Sequence, residues 1–246
     1  MSFRLSRQIQ ALLALCVPLL IAACDSPLSV NTPRKEYVEG IGVPMHTGIG
    51  EGVSVLLPID TSDTTARRPA FSSALVFDCS GSIIPLVNTA MKAGGHAFLD
   101  SLDGEHDESA VIFFNSLVTV YQRISTDVAL LRAAVQALPY TGATAMWDGI
   151  YTGLLELQSR GAHERKALVV VTETEDNSST VGTPEKIISL AKNTRVRIYT
   201  ISLKIGKDEN MLATLSRESG GRHFRFAPLS TLPEIYREIA HTLRMP

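Results

Sequence analysis

From residue 70 onward, short apolar runs alternate with longer stretches whose apolar positions recur every three or four residues. Residues 74–78 are apolar until a closing acid, the pattern of a strand covered on both faces. Over 83–99, Ile83, Val87, Ala90, Met91, Gly94, Ala97 and Phe98 fall on one helical stripe. Residues 110–114 and 117–124 read as two strands joined by the Asn115-Ser116 turn. A helix over 128–138 is stopped by Pro139, and a second over 145–157 carries Met146, Ile150, Leu154 and Leu157 on one side. The run Ala-Leu-Val-Val-Val inside 166–172 is too apolar for a strand with a wet face. Thr183-Pro184 is a helix start, a cap followed by a first-turn proline. A strand follows over 196–203, then a helix over 208–219 ended by Gly220-Gly221. After a short strand at 223–226, Leu232, Ile235, Tyr236, Ile239 and Leu243 mark the last helix. Such alternation predicts an α/β fold, a doubly wound and mainly parallel sheet with helices on both faces. Ligands of these sheets sit beyond the carboxyl ends of the strands.

The preceding segment has a different character. Arg4 and Arg7 come before an unbroken apolar run over 11–23, which ends Ile21-Ala22-Ala23-Cys24. A basic start, a short apolar core and small residues at the end describe a secretion signal. Thirteen residues fall short of the ~20 needed to cross a bilayer as a helix, and Pro18 weakens the run further as a span. The Ile-Ala-Ala-Cys tetrad resembles the lipobox of bacterial lipoproteins. That resemblance implies cleavage before Cys24 and acylation of its thiol and new amino group, a firm anchor at ~0.8 kcal/mol per buried CH₂. Asp25 resembles the inner-membrane retention signal of enteric bacteria, and the choice of membrane stays open. The expected location is the cell envelope, with the domain facing the periplasm or the exterior.

Pro27, Pro33 and Pro44 lie among glycines and polar residues, as in a tether. Within it, 53–59 is a possible edge strand. The expected division is a signal over 1–23, lipidated Cys24 and tether over 24–69, and one folded domain over 70–246. Cys16 leaves with the signal and Cys24 is acylated, so Cys79 remains alone and no internal disulfide forms.

A formal charge of -2 gives no basic footprint for nucleic acid. The informative polar residues stand at the carboxyl ends of the predicted strands. Asp78-Cys79-Ser80-Gly81-Ser82 follows the first, 141–148 leads into a helix, and Thr172-Glu173-Thr174-Glu175-Asp176 closes another strand. In Asp-x-Ser-x-Ser, alternate side chains of a tight loop turn the same way, and Gly81 permits the bend. These are hard oxygen donors without a His or Cys pattern beside them, which suits Mg²⁺ or its close substitute Mn²⁺.

Together these loops resemble the metal-ion-dependent adhesion site of von Willebrand factor A domains, over roughly residues 70–244. The resemblance implies a Rossmann-like fold and metal-dependent binding of a protein that offers an Asp or Glu carboxylate. Asp78, Ser80, Ser82 and Thr144 match the family's ligands, direct or through water. Glu173 stands where the family has aspartate, and Thr174 where it has glycine. Glu173 is thus open between a ligand and a solvated acid. Asp148 reads as a first-turn helix acid, Glu175 and Asp176 as solvated charges, and Cys79 as a packed thiol. Arg222, His223 and Arg225 read as a strand's polar face. An enzyme is not expected, since no Gly-x-Ser-x-Gly, phosphate-cradling loop or nucleophile–base pair is present. The expected function is an anchored, metal-dependent binding module. The alternative is a metal-independent structural subunit of an envelope complex.

Overall fold

The computed structural model describes residues 68–173 and 175–245. The expected secretion signal, Cys24, the expected tether and the possible strand over 53–59 lie outside the described residues. Among the described residues no helix is long and apolar enough to cross a membrane.

Strands and helices alternate along the chain: β1 (Phe71–Asp78), α1 (Pro85–Leu99), β2 (Glu108–Phe114), β3 (Val118–Ser125), α2 (Val128–Gln136) and α3 (Met146–Arg160). Then come β4 (Arg165–Thr172), α4 (Pro184–Thr194), β5 (Val196–Ser202), α5 (Glu209–Ser219), β6 (His223–Phe224) and α6 (Leu232–Arg244). The six strands form one sheet in the order β3-β2-β1-β4-β5-β6. All neighbours pair in parallel except β3, which runs antiparallel to β2 at the edge.

Alternation along each strand divides the core in two. Phe71, Leu75 and Phe77 of β1, with Val169 and Val171 of β4, face α1, α2 and α6. Ala74, Val76, Leu168 and Val170 face α3, α4 and α5. The central strands are buried on both sides, which is why they read as unbroken apolar runs. Edge strand β3 instead alternates half-buried and exposed positions. On α3, a Cβ at Gly149 would meet Phe114 at 2.7 Å, and one at Gly153 would meet Leu168 at 2.6 Å. Two missing side chains let this helix lie close to the sheet, which fixes the height of its first turn.

Some boundaries differ from the sequence pattern for physical reasons. β1 begins at Phe71 because its serines are buried with partners. Ser72 donates to Glu108 Oε1 at 2.7 Å, and Ser73 to Ser109 Oγ at 2.9 Å. The same pairs extend β2 back to Glu108. α1 starts at Pro85, not Ile83, because proline takes the first helical position.

Candidate metal centre

The strand order reverses between β1 and β4. The chain leaves β1 for a helix on one face and β4 for a helix on the other, so their carboxyl ends part and leave a crevice. Backbone bonds knit the loops around it. Cys79 N–H donates to Phe114 C=O at 2.8 Å, Thr141 N–H to Cys79 C=O at 3.0 Å, and Gly81 N–H to Gly142 C=O at 2.9 Å. Gly142 has φ +86°, and a Cβ there would meet Ser116 Oγ at 2.5 Å. Only glycine fits both demands.

Asp78, Ser80, Ser82, Thr144 and Glu173 all line one cleft of about 180 Å³. Asp78, Ser80 and Thr144 are buried, Glu173 is half-buried and Ser82 is exposed. The Asp78 carboxylate is fixed at both oxygens. Oδ1 accepts the Ser80 N–H at 3.0 Å, while Oδ2 accepts the Thr172 hydroxyl at 2.9 Å and the Glu173 N–H at 3.2 Å. Burial still wins over these bonds and pushes the Asp78 carboxyl above its usual range. Ser80 Oγ and Ser82 Oγ stand 3.2 Å apart. Adjacent ligands in an octahedron of ~2.1 Å bonds are roughly 3 Å apart, so the two hydroxyls suit one edge around a hard cation. Among the described residues no three His, Cys, Asp or Glu side chains gather as a metal group. Hydroxyls of Ser80, Ser82 and Thr144 and carboxylates of Asp78 and Glu173 nevertheless line the cleft, an all-oxygen donor set that fits a hard, magnesium-like ion.

The third loop does more than the sequence pattern indicated. Asn177 lines the cleft and holds Thr144: Thr144 N–H donates to Asn177 Oδ1 at 2.9 Å, and Asn177 N–H donates to Thr144 C=O at 3.0 Å. Asp176 is no merely solvated charge, because its Oδ1 accepts the Trp147 N–H at 3.3 Å and the Ser179 hydroxyl at 2.5 Å. Ser179 Oγ in turn accepts the Asp148 N–H at 3.0 Å. The free amides of α3's first turn are therefore capped by residues some thirty positions later. Asp148 returns the arrangement, accepting N–H groups from Thr180, Val181 and Gly182.

Lys204, just past β5, also lines the cleft and pairs with Glu173 Oε2 at 2.9 Å. Its place at the carboxyl end of a predicted strand was the signal that could have singled it out. Cys79 is fully buried, and burial beside the Asp78 charge pushes its thiol up, out of the reactive range. His223 is not on an open polar face. Its ring bonds Thr200 Oγ1 at 2.7 Å and Glu209 Oε1 at 3.1 Å in a network away from the cleft.

The family model for the von Willebrand factor type A domain matches residues 74–238. No curated protein matches the chain. Among solved structures, a von Willebrand factor type A protein from Catenulispora acidiphila is 19% identical with a TM-score of 0.60, covering 72% of this chain and 43% of its own. Proximal thread matrix protein 1 from the mussel byssus, with a zinc-occupied MIDAS motif, is 22% identical with a TM-score of 0.60, covering 71% of this chain and 45% of its own. The vWF domain of the type V pili tip protein Mfa5 from Porphyromonas gingivalis is 14% identical with a TM-score of 0.57, covering 71% of this chain and 95% of its own. The chain thus spans less than half the length of the first two, and the likeness to all three is one of fold.

Proposed function

The chain belongs to the von Willebrand factor type A domain family, and from that premise we propose an envelope lipoprotein, anchored through Cys24, whose domain grips a protein partner through a divalent cation. The ligands are Asp78, Ser80, Ser82, Thr144 and Glu173, direct or through water, and the cation is Mg²⁺ or Mn²⁺. The observation that carries this reading is the convergence of those five residues, from three separated loops, on one cleft.

When bound, the cation supplies an open coordination position for a carboxylate oxygen of the partner. The rest is done by the chain. Thr172, Ser80 and the Glu173 amide hold Asp78 in one orientation. Asn177 holds the backbone of Thr144, so its hydroxyl is carried on a braced loop. Lys204 offsets Glu173, leaving Asp78 as the one buried acid of the cleft without a paired cation among the described residues. A dication is then under-neutralised, and an incoming Asp or Glu is attracted. Exposed Glu175 at the rim is screened by water and weakens that pull little.

The surroundings support a protein as partner. Of the ten exposed large hydrophobic side chains among the described residues, Ile84, Leu86, Leu117, Val181, Ile205 and Phe226 stand on loops or helix starts at the carboxyl edge of the sheet. Exposed apolar side chains at the same edge of the sheet as the polar cleft suit a protein contact better than a small ion or sugar. The reading is of binding, not turnover. The zinc-occupied MIDAS motif of the mussel protein and the pili tip setting of the Porphyromonas domain are in keeping with it.

The Glu173–Lys204 ion pair favours one other reading, a structural subunit that works without metal. Isothermal titration separates the two. Saturable Mg²⁺ binding that disappears in Asp78→Ala supports the metal-dependent module, and no heat of binding in the native chain selects the structural one.

A further inference from the structure

A groove of about 470 Å³ runs beside the cleft, between the β2–β3 turn and α3. Leu117, Val118, Ala145, Tyr151, Leu155 and Val181 are its apolar lining, and the other five lining residues, Asp148 among them, are polar. Leu117 is 74% exposed and Val181 54%, so aliphatic side chains from the β2–β3 turn and the β4–α4 loop stand in water. The groove and the cleft share their margins. Thr144 lines the cleft while Ala145 lines the groove, and Asn177 lines the cleft while Ser178 lines the groove. Ala143, in the cleft, donates its N–H to Ser116 Oγ, in the groove, at 2.7 Å.

Consecutive Cα atoms are about 3.8 Å apart, so the two depressions are separated by one or two residues of backbone. An extended segment presents same-face side chains roughly 7 Å apart. One short stretch of a partner therefore spans both.

We infer that the groove receives an apolar side chain from the segment whose carboxylate enters the cleft. The partner's motif is an Asp or Glu with a Leu, Ile, Val, Met or Phe one to three residues away. The carboxylate half rests on the metal reading above, and the apolar half rests on the groove itself. A cation alone would accept any exposed carboxylate, whereas the paired requirement gives the site its selectivity.

The test uses the full-length chain in detergent micelles and a random dodecapeptide library displayed on phage, bound in millimolar Mg²⁺ and eluted first with EDTA, then with acid. The expected EDTA pool is enriched in an acid with a bulky apolar residue within three positions. In the double variant Leu117→Ser and Val181→Ser, Mg²⁺ binding should be unchanged by calorimetry. A synthetic copy of the enriched peptide should then bind at least about tenfold more weakly, the scale of one lost aliphatic contact. An EDTA pool with acids but no apolar preference, or equal affinity in the variant, overturns the groove and leaves the metal reading intact. Peptides that keep the apolar preference and weaken in the variant, yet elute only with acid, support the groove and sink the metal reading.

Discussion

Lys204 Nζ lies 2.9 Å from Glu173 Oε2 in the cleft, so the glutamate that stands in the family's aspartate position carries its own counter-charge. The longer acid does not face the cleft as a second bare carboxylate. The pair also means that Glu173 must share itself between an ammonium and any cation held beside Asp78.

That sharing has a measurable sign. Lys204→Gln removes a positive charge from the wall of a cation site, and it frees Glu173 to turn inward. Mg²⁺ binding is expected to tighten about fivefold, on the order of 1 kcal/mol for one charge in a partly wet cleft. The gain should shrink at higher ionic strength. Titration at two salt concentrations reads both effects. Weaker binding in Lys204→Gln would show instead that the ammonium holds Glu173 where the ion needs it.

Asp78→Asn should separate stability from binding. Burial raises the carboxyl's pKa, which means that its ionised form is disfavoured by the fold. Removing the charge relieves that cost, while the asparagine NH₂ meets an N–H or O–H donor where an oxygen accepted, so the melting temperature in EDTA is expected to stay close to the native value. At a hundredfold excess over Kd, Mg²⁺ should stabilise the native chain by about 2.7 kcal/mol, and the variant by nothing. For a domain of this size that is a shift of roughly 5–10 °C. A variant that melts well below the native chain in EDTA would assign Asp78 a structural role.

Cys79 sits inside the Asp-x-Ser-Gly-Ser loop, yet it is fully buried and its thiol is pushed up by burial and by Asp78. Native protein is expected to leave Cys79 unmodified by maleimide over hours, with complete labelling after denaturation. Peptide mass spectrometry distinguishes it from Cys24. Rapid labelling in the native state would mean that the loop opens often enough to expose its own underside.

The sequence made some of this site legible and hid the rest. Asp78, Ser80 and Ser82 share one turn behind an apolar strand, so spacing alone places them together. The alternation of strands and helices likewise announced the layered fold, because both central strands are covered on two faces. Phe71 to Ser73 were not legible as strand, since their serines are satisfied by Glu108 and Ser109, which lie 36 positions away. Asp176 was misread as solvated, and Lys204 was passed over although it follows a predicted strand, because the contacts that give them their roles are not local. Their partners, Trp147 and Glu173, are 29 and 31 positions distant, and no local period encodes such pairs. Polar contacts across loops follow from the fold and cannot precede it.

Asp148 tests how firmly the third loop holds the cleft wall. Its Oδ1 accepts the Val181 N–H at 2.9 Å and the Gly182 N–H, and its Oδ2 accepts the Thr180 N–H at 2.9 Å. Burial alone would raise this carboxyl, but the three amides together outweigh it and hold it below the usual range. A depressed folded-state pKa places the stabilisation above the unfolded value near 4, and it is lost as pH falls through the folded value. Asp148→Ala should therefore cost about 1–2 kcal/mol at neutral pH, from charge-assisted bonds that water partly replaces. The gap from the native chain should narrow below about pH 4. Denaturant midpoints across pH measure the gap, and amide exchange at 180–182 should rise in the variant. Since the same loop carries Asn177, which braces Thr144, Mg²⁺ affinity should fall as well, although Asp148 is not among the cleft's lining residues. A gap that stays constant down to pH 3 would mean that packing, not this carboxylate, holds the loop in place.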